Sequence, residues 1–502
     1  MITWALLAVL VVTALLYSRW RHSYWSSRGV PTAPGSIPFF GHTFKFLSRS
    51  KYRWLVVDEM YYNHRGSLFC GLYELFRPSL LLGDPDLLKA VLIKDFDHFA
   101  NRRSFKSTNP KDKIVNEMIT SATGEHWKGI RSVLSTSFTS GRMKGMFPLI
   151  EAKAQGLIDY LYRQLKKDPV VRMKHSFGMY TLEVISSCAF GLETNSFEGD
   201  DSIFAQKALE LFIIKPLRHM QIMFLITFPK LATLLNIQLS HENMEFFTDV
   251  VIETMKQRKA GAKRGDFLDI MLEAREDQDQ STDKKKPKYP LSDDTIIASS
   301  VLFIIAGYDT TANTLGIASF LLAKHTKEQE LLREELRKLI AEHGSLTYQA
   351  IIEAKYLEGC VSETLRMYPP VPINVRSCTM DYNLPGTDLV IHKGQSILIP
   401  VWSLHHDQKY WPDPEKFDPT RFFPENKDRI VSGTYLPFGL GPRNCIAMRF
   451  AQMEAKLALA RTVLEFELRC APGHEELEMS FTPGIMRPKE DVFVTLTPVA
   501  KE

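Results

Sequence analysis

Two glycines and a proline force the segment Phe438-Gly439-Leu440-Gly441-Pro442-Arg443-Asn444-Cys445 into a tight loop. Glycine enters left-handed backbone freely, and proline fixes φ and removes a donor. The loop is expected to deliver Cys445 to the start of a helix running to about Leu464. A helix N-terminus offers unpaired amides and a positive dipole end, and both favour thiolate over thiol. A thiolate held this way is suited to a metal. The run is not a dinucleotide fingerprint, because Asn444 replaces the third glycine and no strand-to-helix unit surrounds it.

The 502 residues allow several domains or one large single-core enzyme fold. With 45% apolar and 24% charged residues, the composition excludes a disordered chain, a collagen-like repeat and a polytopic membrane protein. Lys plus Arg less Asp plus Glu is 62 − 58 = +4, too small over this length to argue for nucleic acid. The cysteines Cys70, Cys188, Cys360, Cys378, Cys445 and Cys470 show neither a CxxC pair nor a disulfide framework, which points to a reducing compartment.

Ile2 to Tyr17 carries no charge, and Arg19, Arg21, His22 and Arg28 follow it. Such a helix reaches ~24 Å, a little short of a ~30 Å hydrocarbon core, so Trp20, Tyr24 and Trp25 are expected to extend it as interfacial anchors. Charge after the apolar run, with no Ala-x-Ala cleavage site, predicts an uncleaved anchor over residues 2–17 with the body on the cytoplasmic side. Residues 18–41 form a basic connector stiffened by Pro31, Pro34 and Pro38, and residues 42–499 are expected to form a single catalytic domain.

Along that body, Ser67 to Gly83 predicts a hairpin around a Pro78 turn, and Asp84 to Phe99 a helix capped by Asp84. Helical patterns dominate from Glu125 to Glu273; Glu273 to Asp294 predicts a charged surface loop, and Asp294 to Lys324 a long apolar helix. Two charged amphipathic helices and a β-like stretch follow, and Glu478 to Val499 predicts strands around Pro483-Gly484. The fold class is therefore mainly α with a small β-rich region. Ala205 to Phe247 is unusually apolar, which suits core packing, a second membrane-contacting surface or a substrate-entrance lid.

Three constellations stand out. Glu363 and Arg366, at i and i+3, share a helix face and can pair. Asp309, Thr310, Thr311 and Asn313 interrupt the apolar helix at its centre, where an ionisable group needs a partner or a function. Hydroxyls there can bond to backbone carbonyls and open the helical ladder. Trp127 and Arg131, at i and i+4, set an indole donor and a guanidinium side by side.

The loop Phe-Gly-x-Gly-Pro-Arg-Asn-Cys resembles the haem-binding loop of the cytochrome P450 superfamily of haem-thiolate monooxygenases. The resemblance runs from about Pro31 to Thr497, and NRRSF, AGYDTT and GPRNCIAMRFA look most like the animal microsomal branch related to family 3. It implies the P450 fold preceded by one membrane anchor helix, with haem b ligated by Cys445 beside Phe438. It further implies that Arg102, Trp127, Arg131, Arg376 and Arg443 hold the haem carboxylates, and that Asp309 and Thr310 supply protons during oxygen activation. By the same resemblance Glu363, Arg366 and Arg421 form a structural ion-pair motif, and Phe105, Ile304, Ala306, Ile373 and Ile485 line a substrate pocket unless they are ordinary core residues.

Such a protein takes NADPH electrons through NADPH–cytochrome P450 reductase, with cytochrome b5 as an optional second donor. Lys128 and Arg449 are candidate contacts for an acidic reductase face. The implied substrate is a lipophilic small molecule of xenobiotic, steroid or fatty-acid type, and the implied location is the endoplasmic reticulum membrane. A haem-thiolate isomerase or dehydratase and a non-catalytic haem-binding protein are the alternatives. The family usually has glycine two residues after the cysteine; here Ala447 stands there.

Overall fold

The apolar run at the centre of the sequence folds as a helix spanning Asp293–Lys324, and the rest of the body is arranged around it. Ser292 caps it by accepting from the Thr295 amide at 3.1 Å, Asp293 and Asp294 sit in its first turn, and Lys324 sits in its last. The computed structural model describes residues 1–44, 52–64, 68–103, 107, 109–198, 202–211, 216–261, 264–280, 291–480 and 485–500.

Helix Met173–Phe190 lies along this central helix, and both are buried over most of their length. The approach is close because each contributes a glycine at the crossing. A Cβ at Gly178 would meet the Tyr308 ring at 3.2 Å, and one at Gly316 would meet the Lys174 Cα at 3.2 Å. Helices Met244–Lys259, Phe267–Gln280 and Met448–Glu465 also pack against the central helix, and Ser140–Leu165 packs against two of its neighbours. One continuous apolar cluster unites them.

The β-rich region is small. A four-stranded sheet has the order Phe69–Glu74, Arg77–Leu82, Ser396–Ile399, Asn374–Ser377, with the middle pair parallel. A three-stranded antiparallel sheet joins Val170–Arg172, Phe493–Pro498 and Phe466–Cys470. The predicted hairpin is present, but it turns at Leu75 and Phe76, with Leu75 at φ 57°, and not around Pro78. Pro78 is tolerated inside its strand because pairing to Ser396–Ile399 begins only at Ser79.

Other expectations shift at the boundaries. Asp84 caps as predicted, accepting from the Asp86 and Leu87 amides, but the segment breaks into an α turn, a wider turn and a 3-10 turn ending at Phe99. Glu273 begins no loop. Buried Phe267, Leu268, Ile270 and Met271 anchor a helix that continues to Gln280, and residues 281–290 lie outside those described. Of the predicted C-terminal strands only Phe493–Pro498 forms, beside an isolated Met479–Pro488 bridge; Pro483 and Gly484 lie outside the described residues.

At the N-terminus a helix spans Ile2–Arg21, is exposed nearly throughout, and is long and apolar enough to cross a membrane. Trp25 is not an interfacial anchor. It is fully buried, with Nε1 donating to the Leu72 carbonyl at 3.1 Å and its ring against Gly71, where a Cβ would meet it at 2.3 Å. The predicted 18–41 connector is helical at its start, where the N-terminal helix continues to Arg21 and Ser26–Arg28 form a 3-10 turn; from Pro31 to Gly41 it is free of helix, as expected, and Pro31 and Ala33 bond to both backbone groups of Gly71. In the apolar stretch after Ala205, Leu217, Met220, Phe228, Leu231 and Leu234 are exposed, whereas Ala205, Ala208 and Phe247 are buried.

Glu363 and Arg366 fall on helix Lys355–Met367 and are wholly buried, paired through two bonds of 2.7 and 2.8 Å. Arg366 also donates to the carbonyls of His405 at 2.8 Å and Pro414 at 2.6 Å, and Glu363 accepts from Arg421 at 3.3 Å and the Asp418 amide at 3.1 Å. The chain between residues 405 and 421 is thus tied to one helix face at His405, Pro414, Asp418 and Arg421. Arg366→Ala strands a buried carboxylate and should cost about 3–5 kcal/mol in a urea unfolding titration. Arg421→Ala removes a partly solvated partner and should cost about 1 kcal/mol or less; equal losses would contradict this division.

Candidate active site

The cysteine loop closes on itself through backbone bonds. The Gly439 amide donates to Leu436 O at 3.0 Å, the Asn444 amide to Gly441 O at 3.0 Å, and the Cys445 amide to Phe438 O at 2.8 Å. Gly439 and Gly441 both lie at φ 76°, the left-handed region expected from the sequence. Gly441 is required twice over, because a Cβ there would sit 1.8 Å from the Leu92 carbonyl oxygen. Helix Met448–Glu465 starts three residues later than expected, with Ala447 at its N-cap, so Cys445 is not a helix-cap residue. One amide still reaches the sulfur: burial pushes the Cys445 thiol up, while the Ala447 N–H, Arg131 and Arg102 oppose that rise. Ala447 has φ −93°, ordinary backbone for an L-residue, so the methyl group there meets no conformational objection.

Four arginines converge around this loop. Arg131, on helix Gly124–Thr136, grips Asn444 through two 2.8 Å bonds, to its carbonyl and its side-chain oxygen. Arg443 is buried over the Trp127 ring at 4.8 Å and donates to Ala100 O at 2.6 Å and Ala122 O at 2.7 Å. Arg102 reaches Arg443 O at 3.4 Å. Arg376 is 1% exposed, with one bond to the adjacent Val375 carbonyl at 3.2 Å. Burial and mutual repulsion hold Arg376 and Arg443 down to about 9. Among the described residues no carboxylate forms an ion pair with any of the four, and the Nε atoms of Arg102 and Arg376 are buried without a hydrogen-bond partner.

This arrangement fits haem. Buried cations without anions require a negatively charged guest, and guanidiniums suit its two carboxylates. No three His, Cys, Asp or Glu side chains gather into a metal site among the described residues, so a metal at Cys445 has to bring its other ligands with it. A porphyrin does that.

Opposite the loop lies the polar centre of helix Asp293–Lys324. Ala306 is exposed in the middle of this otherwise buried helix, so it faces open space inside the body. Thr310 Oγ1 donates to Ala306 O at 2.7 Å, and Asn313 Nδ2 to Asp309 O at 2.6 Å. The hydroxyls do back-bond as expected, yet the helix runs unbroken and its ladder does not open. Thr310 and Phe438 line one small cleft with Leu365 and Ala451, which joins this helix to the cysteine loop. Asp309 is buried and points to a different set of groups. Arg487 Nη2 lies 3.6 Å from its carboxylate, and Lys174, whose ammonium burial pushes down, feels its charge.

Lys174 and Arg487 were not legible as site residues, since they come from distant segments and carry no motif. Of the predicted pocket residues, Ile304 is buried in the main cluster and Ile373 packs against a smaller one beneath the four-stranded sheet. Ile485 is part-buried, and Phe105 lies outside the described residues.

Comparison with known proteins agrees with this geometry. A family model described as Cytochrome P450 matches residues 31–496. The chain is 35% identical over 504 residues to cytochrome P450 3A41 of Mus musculus, covering 99% of this chain and 96% of that protein. It is 34% identical over 497 residues to cytochrome P450 6k1 of Blattella germanica, covering 96% and 94%. Cytochrome P450 3A29 of Sus scrofa gives 34% over 507 residues, covering 99% and 96%.

The Leu92 contact makes a sharp prediction. Gly441→Ala should reduce haem content per folded chain severalfold, because the loop must move to admit the methyl group, whereas Ala447→Gly should leave haem content unchanged. Haem-to-protein absorbance ratios of the purified variants check both.

Proposed function

Because the chain belongs to the cytochrome P450 family, we propose that it is a monooxygenase inserting one oxygen atom from O2 into lipophilic small molecules, with NADPH electrons delivered by NADPH–cytochrome P450 reductase. The observation that carries this reading is the juxtaposition of the Cys445 loop, a cradle of unanswered arginines and an available Thr310 hydroxyl. Bound haem supplies the iron centre at which dioxygen is activated, and a thiolate ligand favours O–O cleavage.

The chain's own residues do the rest. Cys445 is the ligand, and Arg131 fixes the residue before it. Arg102, Arg376 and Arg443 hold carboxylates against the body, with Trp127 as the surface on which Arg443 rests. Thr310 holds a proton on Oγ1, lent to the Ala306 carbonyl; a rotation about its χ1 redirects that proton into the open space beside Ala306. Asp309 is the carboxyl one residue away, on the side of the helix where Arg487 and Lys174 lie, and is the group from which protons are passed toward Thr310. Ala306, Ile373 and Ile485 present apolar surface, with Ile304 packed behind it in the core, that excludes water and suits xenobiotic, steroid or fatty-acid substrates. The Thr310 hydroxyl favours oxygen activation over isomerase or dehydratase chemistry, which needs no such proton.

Two apolar surfaces support a membrane location. Helix Ile2–Arg21 anchors the chain in the endoplasmic reticulum membrane with the body on the cytoplasmic face, and exposed Leu217, Met220, Phe228 and Leu231 form a second lipid-facing surface. Exposed Arg449 is the stronger candidate contact for the reductase, with cytochrome b5 as a further donor. Lys128 already pairs with Glu125 at 3.1 Å and with Asp97 at 3.5 Å.

The carbon monoxide difference spectrum of the reduced protein should show a strongly red-shifted Soret band, lost in Cys445→Ala; a band typical of a neutral ligand in folded wild type would overturn the assignment. With reductase present, Thr310→Ala should keep the haem and its spectrum but consume several NADPH per product. Fully coupled turnover in that variant would remove Thr310 from proton delivery.

A further inference from the structure

His405 joins the buried ion pair to the cysteine loop by hydrogen bonds at both ring nitrogens. It lies on helix Val401–His406 and is fully buried. The Leu436 amide lies 2.8 Å from Nε2, and an amide can only donate, so Nε2 accepts. The ring proton is therefore on Nδ1, which donates to the Arg366 carbonyl at 3.0 Å. Arg366 returns a bond from Nη1 to the His405 carbonyl at 2.8 Å. Burial pushes the imidazole well below the usual histidine range, in keeping with a neutral ring of one tautomer. Tyr435 stacks on it at 5.5 Å and bonds Ser362 O at 3.1 Å, so the chain entering the loop is held twice to helix Lys355–Met367.

We infer that His405 is a positioning residue for the Cys445 ligand, fixing where the loop begins relative to the Glu363–Arg366 pair. The relay is short. Leu436 gives its amide to His405 and its carbonyl to the Gly439 amide, and Phe438, between them, gives its carbonyl to the Cys445 amide. Displacing Leu436 moves the acceptor that holds Cys445. An imidazolium, or any side chain without an acceptor at the Nε2 position, leaves the Leu436 amide buried and unanswered.

The inference rests on Cys445 being the haem ligand, and the test separates the two. Full-length holoprotein is reduced with dithionite under carbon monoxide, and the ratio of the red-shifted thiolate band to the neutral-ligand band is measured. His405→Gln keeps an acceptor near the Nε2 position and should retain the wild-type ratio. His405→Asn keeps only the Nδ1 position, and its ratio should fall roughly fivefold or more, the equivalent of one buried amide left unpaired. His406→Gln is the matched control: His406 is also buried, but bonds the Trp402 carbonyl at 2.9 Å and not the loop, so its ratio should stay at the wild-type value.

A wild type lacking the red-shifted band would overturn the ligand assignment itself. A wild type that has it, with His405→Asn matching His405→Gln, would overturn the role of His405. Should the Asn variant not fold, hydrogen exchange in wild-type holoprotein decides: the Leu436 amide should be among the slowest in the 430–445 segment, and rapid exchange there would refute the relay.

Discussion

Four guanidinium groups gather around a single cysteine, and among the described residues no carboxylate pairs with them. A fold cannot keep such a cluster for stability, since each buried cation raises the cost of the next. On the proposed function a dianionic guest completes the cluster, and such a guest would be part of the core. The bonds from Arg131 to Asn444 and from Arg443 to Ala100 and Ala122 hold the cations in place, and thereby tie helix Gly124–Thr136 and the segment after Phe99 to the loop. Electrostatic tension and architecture are the same set of contacts.

Much of this was legible in the sequence because it depends on local rules. The loop glycines are where left-handed backbone is needed, and Glu363 and Arg366 pair because helix geometry leaves them few alternatives when buried. The central helix showed itself through apolar density that tertiary packing then used. What was not legible came from outside each segment. Nothing near Asp309 announces Arg487, and nothing near Leu436 announces His405, since both contacts join chain segments that only the fold brings together. Trp25 read as a membrane-interface residue for the same reason: its socket is a glycine forty-six positions away.

Helix boundaries depart from the local end signals for two separate reasons. Helix Phe267–Gln280 runs into charged sequence because its first turns are buried, and helix Met448–Glu465 starts late because the loop before it is held by Arg131 and by backbone bonds to Phe438. The delay leaves Cys445 in irregular backbone whose shape is set by its neighbours, and this is why the loop depends on supports such as Arg131.

The joint between the apolar N-terminal helix and the body is a socket, not a tether. Trp25 fills a space left by Gly71, Arg21 bonds the Phe76 carbonyl at 3.0 Å, and the Phe39 amide donates to Ser18 at 2.8 Å. With the hinge removed, tilting the helix tilts everything attached to it. A membrane that holds the helix therefore also sets the attitude of the body, as a keel does, through an indole seated in a sheet and the two polar contacts beside it.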